Sequence, residues 1–170
     1  MKHRSKLIVL AVLLVAMLVQ SSMCIIANDA TNKDKDIVQI VQQNQELTTL
    51  VKALESADLV DDLKGQGPFT VFAPTNRAFN NLPQGTLDDL LKPENKSKLA
   101  DILTYHVKEG KVSADEASKF NGQDIMMLNG KPAKIEVKDG NLYIDGAKVL
   151  LADIQAKNGV IHIIDAVMLP

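Results

Sequence analysis

Asn158-Gly-Val-Ile-His-Ile-Ile-Asp-Ala-Val-Met-Leu-Pro170 closes a chain of 170 residues and decides how the rest is arranged. Asn158-Gly159 predicts a two-residue hairpin turn, because both residue types tolerate positive φ. Val160-Ile-His-Ile-Ile164 follows without interruption, and four of its five residues are β-branched. Such a run predicts a strand covered on both faces. A second apolar group, Ala166-Val-Met-Leu169, follows Asp165. A terminus this apolar is stable only inside a finished core, so the upstream chain is expected to pack around it.

Working outward, the segment after Phe120 is punctuated by Asn121-Gly122, Asn129-Gly130, Asp139-Gly140 and Asp145-Gly146. Short strands are predicted between them at 125–128, 133–137, 142–144 and 149–154, an antiparallel meander or sandwich. Further upstream, Phe69, Val71 and Ala73 alternate with Thr70 and Phe72, which predicts another strand. Pro74 ends it, and Thr75 is placed to cap a short helix carrying Ala78, Phe79 and Leu82 inward.

The first third is helical in pattern. Ile37, Ile40 and Val41 share one face, and Leu47, Leu50, Val51 and Leu54 recur at helical spacing. Leu59, Val60 and Leu63 predict a further turn, with Gly65 at its C-terminal cap. Thr86 with Asp89 and Ser113 with Glu116 have the spacing of capping boxes. Leu99, Ile102 and Leu103 form a stripe that runs into Tyr105-His106-Val107. Helices first and strands afterwards imply one domain in which helices cover a sheet.

The leader reads as an export signal. Lys2, Arg4 and Lys6 precede thirteen unbroken apolar residues, Leu7 to Val19, and then Gln20-Ser21-Ser22. Thirteen is short of the roughly 20 residues a membrane span requires. A cleaved signal over residues 1–27 is expected, with an uncleaved anchor or a lipid at Cys24 as alternatives. Met23 is a poor neighbour for an acylated cysteine. Cleavage after Ala27 would leave 143 residues, no cysteine and therefore no disulfide. The net charge would move from −2 to −5, because three basic and no acidic residues would leave with the leader. Residues 28–35 read as a polar tether. A mildly acidic domain with few aromatics and no basic cluster is a poor match to nucleic acid or anionic lipid.

Three segments in series carry a family resemblance. Phe69-Thr-Val-Phe-Ala-Pro-Thr-Asn-Arg-Ala-Phe79 resembles the first signature of the fasciclin (FAS1) domain, and Asn158-Gly-Val-Ile-His-Ile-Ile-Asp165 resembles the second. Tyr105-His106, within Leu103-Thr-Tyr-His-Val107, is similar to the family's Tyr-His motif between them. The likeness runs over residues 36–170. It implies an α+β fold, a wedge-shaped antiparallel β-sandwich of about seven strands with several helices packed around it. It also implies a secreted or cell-surface adhesion role, through contacts with a surface or matrix protein or with a second copy of the chain.

In animal relatives, integrin recognition is attributed to an Asp-Ile pair just before the second signature and to the Tyr-His region. Asp153-Ile154 and Tyr105-His106 occupy those places and are the implied partner-binding residues. The flanking Ala152 and Gln155 depart from the animal pattern. A single cysteine-free domain behind a signal resembles a small prokaryotic member.

Plainer readings stand beside these. Tyr105 shares a predicted strand face with Leu103 and Val107 and is a core candidate, whereas His106 falls on the opposite face with Thr104 and Lys108. His162 reads as a hydrogen-bonded core histidine. Ile154 fits the last inward position of its strand, with Asp153 a solvated neighbour. His106 and His162 lack metal-ligand spacing, and Gly65-Gln-Gly67 precedes a strand where a nucleotide loop needs a helix. No nucleophile–base pattern occurs, so neither catalysis nor a cofactor is expected. A module carrying a small apolar or lipid-like ligand is the alternative to adhesion.

Overall fold

The computed structural model describes residues 32–170, so the expected signal (1–27) and residues 28–31 of the expected tether lie outside the described residues. Asp36 opens the first helix, α1 (Ile37–Gln43), with a capping box. Its side chain accepts the Gln39 N–H at 2.8 Å, and the Gln39 side chain accepts the Asp36 N–H at 3.1 Å. Two helices follow, α2 (Thr48–Ser56) and α3 (Val60–Leu63). Ile37, Ile40, Val41, Leu47, Leu50, Leu54 and Leu63 are all buried, as their helical spacing requires.

Strand β1 (Phe69–Pro74) leads into α4 (Asn76–Asn80), whose cap is the Thr75 side chain accepting from the Ala78 N–H. Then come α5 (Thr86–Leu90), α6 (Lys96–Tyr105), β2 (Val107–Glu109) and α7 (Ala114–Lys119). Ser113 and Glu116 form the capping box expected of them. Thr86 and Asp89 do not. Gly85, at φ +86°, takes the cap position and Thr86 is already the first helical residue. Gly65 likewise follows a cap made by Lys64, without the positive φ of a glycine cap.

The remaining strands are β3 (Asp124–Met126), β4 (Pro132–Lys138), β5 (Asn141–Ile144), β6 (Ala147–Ala156) and β7 (Gly159–Ile164). All seven form one sheet in the order β2-β1-β7-β6-β5-β4-β3. Its far edge returns toward its start, since the Leu128 N–H, just beyond β3, donates to the Val107 carbonyl of β2 at 2.8 Å. The sheet is therefore nearly closed.

Every neighbouring pair is antiparallel except one. β1 and β7 run parallel, with Phe72 opposite His162 and Ala73 opposite Ile163. A wholly antiparallel sandwich is thus corrected to a mixed sheet. Turn dipeptides specify only local hairpins, and β1 and β7 are joined by no hairpin.

The C-terminal strand is central and every residue of it is buried. Alternation along β1 and β7 divides the core in two. Val71, Ala73, Ile161 and Ile163 pack with the helices, in a cluster that contains Ile37, Leu50, Leu99 and Leu103. Phe72 and Ile164 point the other way, to Tyr105, Ile135, Ile144 and Met168. Two cores meeting at one pair of strands explain why those strands are apolar on both faces.

The turn before β7 lies one residue earlier than its dipeptide suggests. Ala156 pairs with Gly159, so Lys157 and Asn158 form the turn, and neither has positive φ. Gly159 is needed for another reason. A Cβ on it would lie 2.0 Å from the Phe69 carbonyl oxygen. Gly67 is held in the same way, 2.0 Å from the Asn158 carbonyl oxygen.

Candidate functional site

The Asp153-Ile154 pair lies where β6 departs from regular pairing with β7. The register slips between Val149 and Leu151 and again between Leu151 and Ile154. These irregularities break the in–out alternation, and Leu150 and Leu151 are both exposed, at 55% and 52%. Asp153 adopts φ +60°, a left-handed conformation that Asp tolerates better than most residues. Ile154 is half-buried, pairs with Ile161 and packs against the helix-side core.

Asp153 is engaged on both sides. Its carboxylate accepts the N–H of Ala114, the first residue of α7, at 2.9 Å. Its own N–H donates to His162 Nδ1 at 3.2 Å. The other ring nitrogen, Nε2, donates to the Val112 carbonyl at 2.9 Å. With one nitrogen accepting and the other donating, His162 is the neutral Nε2–H tautomer. Burial holds its pKa below the ordinary histidine value, against the opposing pull of the Val112 carbonyl and the Asp153 charge.

Tyr105 and His106 are 3% and 2% exposed. They are not in a strand. Tyr105 ends α6 and His106 caps it, so the predicted placement of His106 on a face with Thr104 and Lys108 is corrected. The Tyr105 hydroxyl lies 2.9 Å from the Pro132 carbonyl and 3.2 Å from an Asp145 carboxylate oxygen. Burial, then the Asp145 charge, pushes its pKa up to about 12. His106 Nδ1 donates to the Ile102 carbonyl at 2.8 Å, and Nε2 accepts the Met168 N–H at 3.0 Å. Burial lowers its pKa to about 4, so this ring also stays neutral.

Phe72 joins the two regions. Its N–H donates to the His106 carbonyl at 2.8 Å, and its ring stacks on His162 with centroids 5.5 Å apart and planes 22° apart. A continuous path therefore runs from His106 through Phe72 and His162 to Asp153. The sequence places Phe72 in a strand and in the core but does not disclose its partner, His162. A buried aromatic opposite a buried histidine became visible only once β1 was paired with β7.

Asn158 is a second position whose role the sequence did not disclose. Its side-chain oxygen accepts the Ile37 N–H at 3.0 Å, and its amide nitrogen donates to the Leu63 carbonyl at 2.7 Å and the Gly65 carbonyl at 3.2 Å. One side chain thus ties the β6–β7 turn to both α1 and α3. Among the described residues, no group of three or more His, Cys, Asp or Glu side chains is arranged to hold a metal. No helix among them is long and apolar enough to cross a membrane.

The model of the fasciclin domain matches residues 45–170. The chain belongs to the fasciclin family. It is similar to the Synechocystis protein sll1483, 47% identical over 146 residues, which cover 86% of this chain and 79% of that one. A second Synechocystis protein, sll1735, is 42% identical over 134 residues, covering 79% of this chain and 97% of the other. Among solved structures, a FAS1 domain pair from the insect cell adhesion molecule fasciclin I superposes with a TM-score of 0.71 at 17% identity. That match covers 80% of this chain and 51% of the pair. The nearly closed mixed sheet with its surrounding helices is the FAS1 fold.

Proposed function

We propose that this fasciclin domain is a secreted or surface-held adhesion module that acts through protein–protein contacts, with its contact surface on the irregular part of β6 around Asp153 and Ile154. The observation that carries this reading is the adjacent exposure of Leu150 and Leu151, 55% and 52%, two residues before Asp153. Two large apolar side chains adjacent in sequence and both in solvent suit a partner contact. The cell adhesion molecule that shares the fold supports the same class of function.

In this proposal Tyr105 and His106 contribute from within. The path through Phe72 and His162 holds the Asp153 backbone in its left-handed conformation, so the contact surface is shaped before a partner arrives. The leader Leu7 to Val19 supplies the route to the cell exterior.

The alternative, a carrier of a small apolar ligand, has less support. The apolar cleft lined by Leu54, Leu59, Leu63, Leu103, Val107 and Leu128 holds about 120 Å³. Small-molecule pockets are ordinarily about 300–1,000 Å³.

Attachment of the producer's own cells to the immobilised full chain tests the proposal, with a Leu150→Ser, Leu151→Ser variant alongside. Both leucines are exposed, so the variant is expected to melt like the parent and to lose attachment. Equal attachment by both proteins, or by neither, would overturn the proposed surface.

A further inference from the structure

A cleft of about 570 Å³ opens between the loop that precedes β1 and the turn that precedes β7. Asp36, Lys64, Gln66, Pro68, Lys111 and Lys157 contribute to its lining. Three lysines and one aspartate therefore border the cleft, on a chain whose formal net charge is −2. The charge of the lysines is little compensated. Lys64 meets Asp61 at 3.4 Å, but that carboxylate is 94% exposed and weakly held. Lys111 donates to the neutral Gln155 side chain, and its charge reaches Glu116, with which it forms no ion pair among the described residues. Lys157 makes no ion pair among the described residues.

The walls are set in advance. Asn158, which lines the cleft, bonds to Ile37, Leu63 and Gly65 and so ties it to α1 and α3. Gly67 lies so close to the Asn158 carbonyl that a Cβ would sit 2.0 Å from its oxygen. A ligand entering this space has little backbone to order, which favours binding.

We propose that this cleft binds a carboxylate-bearing polysaccharide. The volume falls within the range of about 300–1,000 Å³ typical of organic ligands and exceeds what one inorganic anion would fill. No aromatic side chain lines it, so a nucleotide base would find no stacking platform. Gln66 and the Asp36 carboxylate oxygen that does not cap α1 are the polar groups available to hydroxyls beside the lysines. An acidic sugar chain presents both chemistries, with carboxylates spaced along it for separated lysines and hydroxyls between them. Asp36 works against a compact dianion such as phosphate, and accepts readily from a sugar hydroxyl. This site adjoins the β6 contact surface at Ala156 and through the Lys111–Gln155 bond, but it uses different side chains and stands whether or not that surface binds a protein.

The test titrates a galacturonic acid hexamer into the isotopically labelled full chain, following amide shifts and calorimetric affinity. Cellohexaose, which is neutral, and inorganic phosphate are run in parallel. The hexamer is expected to move amides at 64–68, 111 and 156–159, with an affinity that falls as salt is added. A Lys111→Ala, Lys157→Ala variant is expected to keep its melting temperature and lose affinity about tenfold or more. The proposal is overturned if cellohexaose gives the same shifts, if phosphate binds as tightly as the hexamer, or if the folded variant binds like the parent. Shifts confined to other surfaces, or none, overturn it from the parent protein alone.

Discussion

The N–H of Asp153 donates to Nδ1 of His162 at 3.2 Å, across the pair formed by β6 and β7. Where the register slips, a strand N–H loses its ladder partner, and a buried ring nitrogen takes that place. The same ring fixes the start of α7 through Val112, and the Asp153 carboxylate returns to Ala114. A core histidine is thus hydrogen-bonded to the irregular segment of β6.

If that carboxylate acts as an additional cap on α7, Asp153→Ala should lower unfolding stability by about 0.5–2 kcal/mol. Asp153→Asn should lose less, because Asn keeps an acceptor oxygen and also tolerates positive φ. Urea denaturation of the two variants checks this, and equal losses would argue against the capping role.

The histidines predict an acid-sensitive fold. His106 has a pKa of about 4 in the folded chain against 6.5 for the ordinary group, and His162 is shifted the same way. Unfolding therefore takes up protons as pH falls below the ordinary value. Stability from the neutral rings is complete above it and is lost as pH falls toward the folded value. The slope from His106 should approach about 1.4 kcal/mol per pH unit, with His162 acting in the same direction. Urea midpoints should fall between about pH 7 and pH 5, and less steeply in His106→Gln, since His162 is then the one remaining buried histidine ring among the described residues.

Asn158→Ala removes three hydrogen bonds at once and leaves the Ile37 N–H and the Leu63 and Gly65 carbonyls without this partner. A loss of about 2–4 kcal/mol is expected. Hydrogen exchange should show the Ile37 amide opening faster than the Ile161 amide, because the tie to α1 is cut while the central strand remains.

Phe72→Ala should cost about 3–5 kcal/mol and Ile163→Ala about 2–5 kcal/mol. The two residues serve different cores, being 1% and 7% exposed on opposite faces of adjacent strands. Either loss is a large part of the stability of an ordinary domain, about 5–15 kcal/mol. Unchanged thermal melts would contradict the placement of both cores.

Much of this architecture could be read from the residues. The β-branched run at 160–164 and the spacing of Ile37, Leu50 and Leu54 identified strand and helices, because periodicity reports burial directly. Tyr105-His106 is misplaced because alternation over 103–108 suits a strand as well as the end of a helix, and two of the partners that hold the pair, the Pro132 carbonyl and the Met168 N–H, lie far along the chain. The turn at Lys157-Asn158 was displaced by one residue because glycine was credited with positive φ, whereas Gly159 is required by the closeness of Phe69. The irregular segment at 149–154 has no local signal. It appears only when β6 is paired with β7, a strand itself paired in parallel to β1, a relation between residues far apart in the chain.

Hydrogen exchange of the full chain, with and without detergent-solubilised envelope proteins of the producing cell, tests the central proposal most directly. Slowed exchange concentrated at 147–156, and absent in the Leu150→Ser, Leu151→Ser variant, is the result expected of a contact surface on β6. Protection confined to other segments, or no protection at saturating partner, would contradict it.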